Sequence, residues 1–190
     1  MTLNKSSFET SSCDKNRESN IDREFFYHFA NVRQLIPLRL LQILGGKRVG
    51  PNDVAAKDAE ESLRVCLTKS KQALTQFRLA VWHSAQLMRI VEHHHKQRPY
   101  ESTVAFTTAL VLRAAASMSQ ELDWSSKDES TSYIPTLDEV VHLSDAIPWI
   151  QGRSSAKMRS VGLLHGAQGR YRVLLQSVRI LEAHKVWAIS

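Results

Sequence analysis

Residues 74–113, LTQFRLAVWHSAQLMRIVEHHHKQRPYESTVAFTTALVLR, constrain the fold more than any other part of this sequence. Leu74, Phe77, Val81, Ala85 and Met88 recur at steps of three and four, the spacing of one helix face. Trp82, Leu87 and Val91 widen that stripe until little of the helix is left for water. His93, His94 and His95 and a lysine follow, and Pro99 marks a break, because a proline pushes the residue before it out of the helical region. Beyond it, residues 104–118 are apolar on nearly every face, interrupted mainly by Thr107, Thr108 and Arg113. A helix that is apolar all round has to be buried. The two segments predict a helical hairpin at the centre of the domain, with Trp82 and Phe106 sheltered and the other segments packed around it.

The flanking segments supply the rest of a bundle. Residues 1–20 are rich in Ser, Asn and charge, too polar to offset the entropy of ordering, and are expected to be disordered. Residues 21–190 form the helical domain. Ser19 or Asn20 caps a helix with Phe25, Phe29, Val32 and Ile36 on one face, continued by Leu40, Ile43 and Leu44. Pro37 should kink or split it, and Gly45 and Gly46 end it as a C-cap. After a loop over 47–52, Asn52 or Asp53 caps a helix that turns Ala55, Ala59, Leu63 and Cys66 inward, with Glu60 and Arg64 as a supporting pair four apart. Residues 68–70 are its joint with the central helix.

Flexible loops are expected near 121–135 and 151–169. Between them Thr136 and Glu139 read as a capping box ahead of Val140, Val141 and Leu143, with Pro148 closing that helix. A last helix, from about Arg170 to near Trp187, carries Tyr171, Leu174, Val178 and Leu181 on one stripe. No segment of length alternates with period two. The fold class is therefore all-α, an irregular helical bundle of about six or seven helices around the buried hairpin.

With 43% hydrophobic and 23% charged residues, the 190-residue chain suits one globular domain that buries roughly 70% of its unfolded surface. Cys13 and Cys66 lie far apart and make neither a disulfide framework nor a zinc finger. The polar start does not resemble a signal peptide, and the apolar run at 104–116 is too short to span a bilayer. A reducing, intracellular compartment and no membrane partner are the expectation.

Charge is informative once localised. Residues 151–190 hold seven basic residues against the single acid Glu182, a surplus equal to the whole chain's +6. A basic patch here suits an acidic protein surface or nucleic acid, or is simply a solvated helix face and loop. Arg153, Lys157, Arg159, Arg170 and Arg172 are the candidate interaction surface. A dedicated nucleic-acid reader would add surface aromatics or a recognition motif, and neither is present.

The motifs nominate no catalytic residue, cofactor or metal. Adjacent residues on a helix point about 100° apart, so His93, His94 and His95 cannot converge on one ion. They suit a last turn, where carbonyls are unpaired and the dipole is negative. His83 reads as a hydrogen-bonded packing histidine. Gly162, Gly166 and Gly169 precede a helix, but no Lys-Ser or Lys-Thr follows and no strand precedes. A tight turn that lets the final helix pack closely explains them better than a phosphate cradle. Ser154, Ser155 and Ser160 stand among Arg153, Lys157 and Arg159, a composition compatible with phosphorylation and common in loops.

LIPLRLLQILGGK, the alanine-rich helix, and then AVWHSAQLMRIVEHH and RPYESTVAFTTALVLRAA together resemble the fungal-specific transcription factor regulatory domain, or middle homology region. The block 80–89, with Trp82, His83, Ala85 and Gln86, is its most specific part. The ending GRYRVLLQSVRILEAHKVWAIS is similar to the family's C-terminal helix. The resemblance spans about residues 21–190, weakly over the linker and over 151–162. It implies an all-helical, nuclear region that regulates transcription by RNA polymerase II through co-regulators, other proteins or a small effector.

In the family, zinc and DNA contact belong to a cysteine-rich module N-terminal to this region. That module is not in this sequence, nor are the family's earlier helices. The expectation is the C-terminal part of such a regulator, with no cofactor of its own and no enzymatic activity. Two alternatives stand beside it. One is a small all-α enzyme acting on an anionic substrate near Arg153, Lys157, Arg159 and Arg170. The other is a non-functional truncated fragment.

Overall fold

Helix α3 (Lys71–His93) is the axis of the molecule, and the computed structural model shows why. The structure describes residues 6–37, 39, 54–94, 99–118, 134–164 and 166–183. Within them lie α1 (Ser6–Leu35), α2 (Val54–Thr68), α3, α4 (Pro99–Ser117), α5 (Leu143–Ile150), the strands β1 (Lys157–Met158) and β2 (Gly162–Leu163), and α6 (Gly166–Ala183). Six helices and one two-stranded hairpin make an all-α fold. Helix α3 touches α1, α2, α4 and α5. Every residue from 80 to 88 is buried, as a stripe too wide for one face requires. Ser70 caps it, its hydroxyl accepting the Ala73 N–H at 3.1 Å, so the joint at 68–70 lies where the polar residues placed it.

Helix α4 starts on Pro99, which suits a first position because its missing N–H has no partner to lose. Val104, Val111, Leu112 and Ala115 are buried, and α4 packs on α3, completing the central hairpin. Thr103, Phe106 and Arg113 are exposed, Phe106 by 36%, so the expected shelter for Phe106 fails. The reason is a shortage of neighbours. The principal contacts of α4 are with α3 and α6, which leaves one narrow side open.

Helix α1 begins at Ser6, where a disordered arm and a cap at Ser19 or Asn20 were expected. Good helix formers such as Glu9, Lys15, Arg17 and Glu18 allow it to extend backward from its packed half. That half buries Phe25, His28, Val32 and Ile36, with Phe29 partly covered, and the helix stops before Pro37. The continuation through Leu40, Ile43 and Leu44, the Gly45–Gly46 end, the caps at Asn52 and Asp53, most of the loop near 121–135 and the ending at Trp187 lie outside the described residues. In α2, Leu63 faces the core as predicted, joined by Leu67, while Cys66 is exposed and not inward. Arg64 pairs with Glu61 at 3.3 Å, while the side chains of Ala55, Ala59 and Glu60 fall outside the described part.

Residues 134–164 depart most from expectation. Thr136 and Glu139 form no capping box. They lie in a turn closed by the Glu139 and Val140 N–H groups on the Thr136 carbonyl, at 2.9 and 3.0 Å. That turn is stitched to β1, with the Leu137 N–H on the Lys157 carbonyl at 2.8 Å and the Lys157 N–H on the Pro135 carbonyl at 3.1 Å. Helix α5 starts later, at Leu143, and holds Pro148 inside rather than at its end. In an eight-residue helix that proline removes a single backbone bond, while Ala146, Trp149 and Ile150 are buried. Within the expected loop over 151–169, residues 157–163 form a short hairpin, with Ala156 and Met158 inward and Lys157 outward, and 166–169 already belong to the last helix, which starts at Gly166 and not near Arg170. Three residues of alternation are too few to stand out as a strand.

Helix α6 is rotated from its predicted face. Gly169, Val173, Ser177 and Ile180 are buried, whereas Tyr171, Leu174 and Val178 are exposed and Leu181 is partly covered. Gly169 suits this face, since a Cβ there would lie only 2.6 Å from the Leu164 carbonyl oxygen. The start of the helix can come this close to the end of the hairpin only on the glycine side, and the rest of the buried face packs on α4.

Candidate functional site

Three polar side chains on α3, at positions 82, 86 and 89, run down one face of a largely buried helix. A buried polar group needs a partner, and each of these finds one from a distant segment. The Trp82 indole donates to the Val140 carbonyl at 3.1 Å. The Gln86 amide donates to the carbonyls of Leu137 at 2.5 Å and Val140 at 3.0 Å. Arg89 donates to the Gln86 amide oxygen at 3.1 Å and forms an ion pair with Glu24 of α1. This seam fastens the turn at 137–140 onto α3 and continues into α1.

Where the seam reaches the end of α3, a groove of about 890 Å³ opens, walled by Arg89, Glu92, His93 and His94, by Asp138, Glu139 and Val141, and by the hairpin turn at Arg159 and Ser160. Its charges are mixed in sign and engaged. Glu92 accepts from Gln176 at 2.5 Å, and the His93 ring meets the Arg89 carbonyl at 2.8 Å. Arg159 lies 3.8 Å from Glu139, with both side chains largely exposed. Asp138 accepts the Arg159 N–H on both carboxylate oxygens, at 3.0 and 3.1 Å. Burial nevertheless pushes its carboxyl above the ordinary value, more than these backbone bonds hold it down.

A second polar cluster is buried between α1 and α3. His28 and His83 meet Nδ1 to Nδ1 at 2.7 Å, with Trp82 and Tyr27 stacked edge-on around them. One ring must carry its proton on Nδ1 and the other on Nε2, since only one can donate. Burial lowers His28 to about 3, helped by the facing His83 and Arg89, and lowers His83 to about 4 by burial. Both are neutral at pH 7.

No family model matches this chain, and no curated protein or solved structure does either.

Of the five basic candidates, Arg159 alone lines the groove. Arg153 is exposed beyond α5 and bonds Gln151. Lys157 projects from β1. Arg170 and Arg172 are exposed on α6, where Arg172 reaches the Val161 carbonyl at 3.4 Å. All five are exposed, on the exit of α5, the hairpin and α6. His93 and His94 occupy the last turn and cap of α3, and His95 is outside the described residues. Among those described, no three acidic, histidine or cysteine side chains are gathered to hold a metal ion. The glycines serve packing: Gly162 takes a positive φ of 77° in the hairpin and Gly169 admits the hairpin backbone. No described helix is long and apolar enough to cross a membrane.

His28 and Asp138 were missed from sequence, and Gln86 was noted only within the block of family resemblance. His28 and Gln86 carried a readable signal, since each is a polar residue on an apolar helical stripe. Asp138 did not, because its partner is the Arg159 backbone N–H.

Proposed function

We propose that this chain is a regulatory helical domain of a fungal-type transcription factor, acting in the nucleus on transcription by RNA polymerase II. It works by contact with co-regulators or another effector and has no chemistry of its own. DNA is reached only through a separate zinc module, and the domain itself holds no cofactor.

What supports the reading is the place of the block that carries the family resemblance. Residues 80–89 are the part of α3 that holds the domain together, through Trp82, Gln86 and Arg89. A resemblance concentrated there concerns the scaffold. The charged groups of the groove are tied to neighbouring side chains or to backbone, and the basic candidates face outward, an arrangement suited to a contact surface.

The test is to tether the full chain to a heterologous DNA-binding module in a fungal nucleus and measure a reporter. A several-fold change in transcript, up or down, that survives loss of the chain's own DNA affinity is the expected result. A reporter unaffected by the tethered, folded chain overturns the reading.

A further inference from the structure

The outer side of α6 carries Tyr171, Leu174, Leu175 and Val178, exposed by 64, 42, 40 and 49%. Their spacing of three, four and seven residues places them on one stripe, roughly 10 Å long. The inner side of the same helix is committed to α4 and β2. Arg172 and Arg179 are exposed along one edge of the stripe and Arg170 lies near its start, while Glu182 is the one exposed acid on the described part of this helix. The surface is an apolar seam with a cationic border.

We propose that this face docks an amphipathic helix from an acidic partner protein. This rests on the contact reading above and names the partner's chemistry. An amphipathic helix places apolar residues at the same three- and four-residue steps and meets the seam along its length. Acidic residues beside that partner seam meet Arg170, Arg172 and Arg179, which speeds encounter and suppresses wrong partners. A second copy fits less well, because pairing α6 with itself sets arginines against arginines with only Glu182 to offset them. Nucleic acid would engage the arginines and leave four apolar side chains without use.

The experiment uses the full chain and two labelled helical peptides of about 20 residues with the same leucine seam, one bordered by Glu and one by Lys. Anisotropy should show saturable binding of the Glu peptide, at least about tenfold tighter than that of the Lys twin. Leu174→Ser with Val178→Ser should weaken it roughly tenfold or more while the thermal transition stays in place. Arg172→Glu with Arg179→Glu should reverse the preference between the peptides. Equal binding of both peptides, indifference to the Leu174 and Val178 changes, or a dimer in sedimentation that Leu174→Ser dissolves would each overturn the proposal. A silent reporter alongside intact peptide binding would remove the transcriptional reading and leave this surface standing.

Discussion

Helices α3 and α6 start from the same kind of sequence, an apolar stripe at three- and four-residue steps, and end in opposite situations. Helix α3 is surrounded by α1, α2, α4 and α5, and thirteen of its residues are buried. Helix α6 is pressed on one side against α4 and the hairpin, and turns most of its large apolar residues outward. Periodicity shows that a helix has an apolar face. It does not say whether that face is the one that packs.

The sharpest way to break this contrast is to shorten a side chain in each helix. Leu87 is fully buried in α3, and Leu87→Ala should cost about 3 kcal/mol, the removed methyl groups plus the cavity left behind. A loss under about 1 kcal/mol in chemical denaturation would mean that the core around α3 is far looser than described.

Next in size is the contact that orients α6. Gly169→Ala gains up to about 1 kcal/mol of helix propensity, but its Cβ would sit 2.6 Å from the Leu164 carbonyl oxygen. Overpacking against backbone costs about 1–3 kcal/mol, so a net loss of about 1 kcal/mol is expected. Stabilisation would show that this face of α6 is not pressed to the hairpin.

The seal around α3 also has a pH signature. His28 and His83 titrate near 3 and 4 when folded and near 6.5 when unfolded. Above pH 6.5 both states are neutral there and the pair adds no pH dependence. Below it the unfolded chain takes up protons that the folded one refuses, so stability falls with pH until the folded values are reached. The loss should be about 1.4 kcal/mol per pH unit for each ring, about 2–3 kcal/mol per pH unit for the pair once the unfolded chain is fully protonated. His28→Leu with His83→Leu should flatten this part of the profile, and denaturation midpoints at pH 7 and 5 measure it. An unchanged slope would mean that the two rings are open to water.

The smallest effect is assigned to the outer face of α6. Leu174→Ala should move stability by less than about 0.5 kcal/mol. A loss comparable to that of Leu87→Ala would mean the stripe is covered within this chain, and the contrast between the two helices would disappear.

How far the sequence could be read follows from the range of each interaction. The central hairpin, its joint at 68–70 and the break at Pro99 rest on periodicity and on capping residues within a few positions of each other. The basic quarter of the chain was also visible, since charge can be counted without a structure. Its layout was not, for Arg159 lines a groove only because the turn at 137–140 bonds to β1. Thr136 and Glu139 misled for a related reason. The spacing of a capping box is local, but the groups that claim the Thr136 region come from Lys157.

By itself the sequence determined that the chain would be helical and that residues 74–113 would be its centre, because both depend on neighbours one turn away. Which side of α6 packs, what Gln86 holds and which histidine meets His83 were decided only in three dimensions. Gln86 and His83 depend on segments far along the chain, two carbonyls at 137 and 140 and a ring 55 residues earlier, while the packing of α6 turns on how closely its backbone at Gly169 meets the end of the hairpin at Leu164.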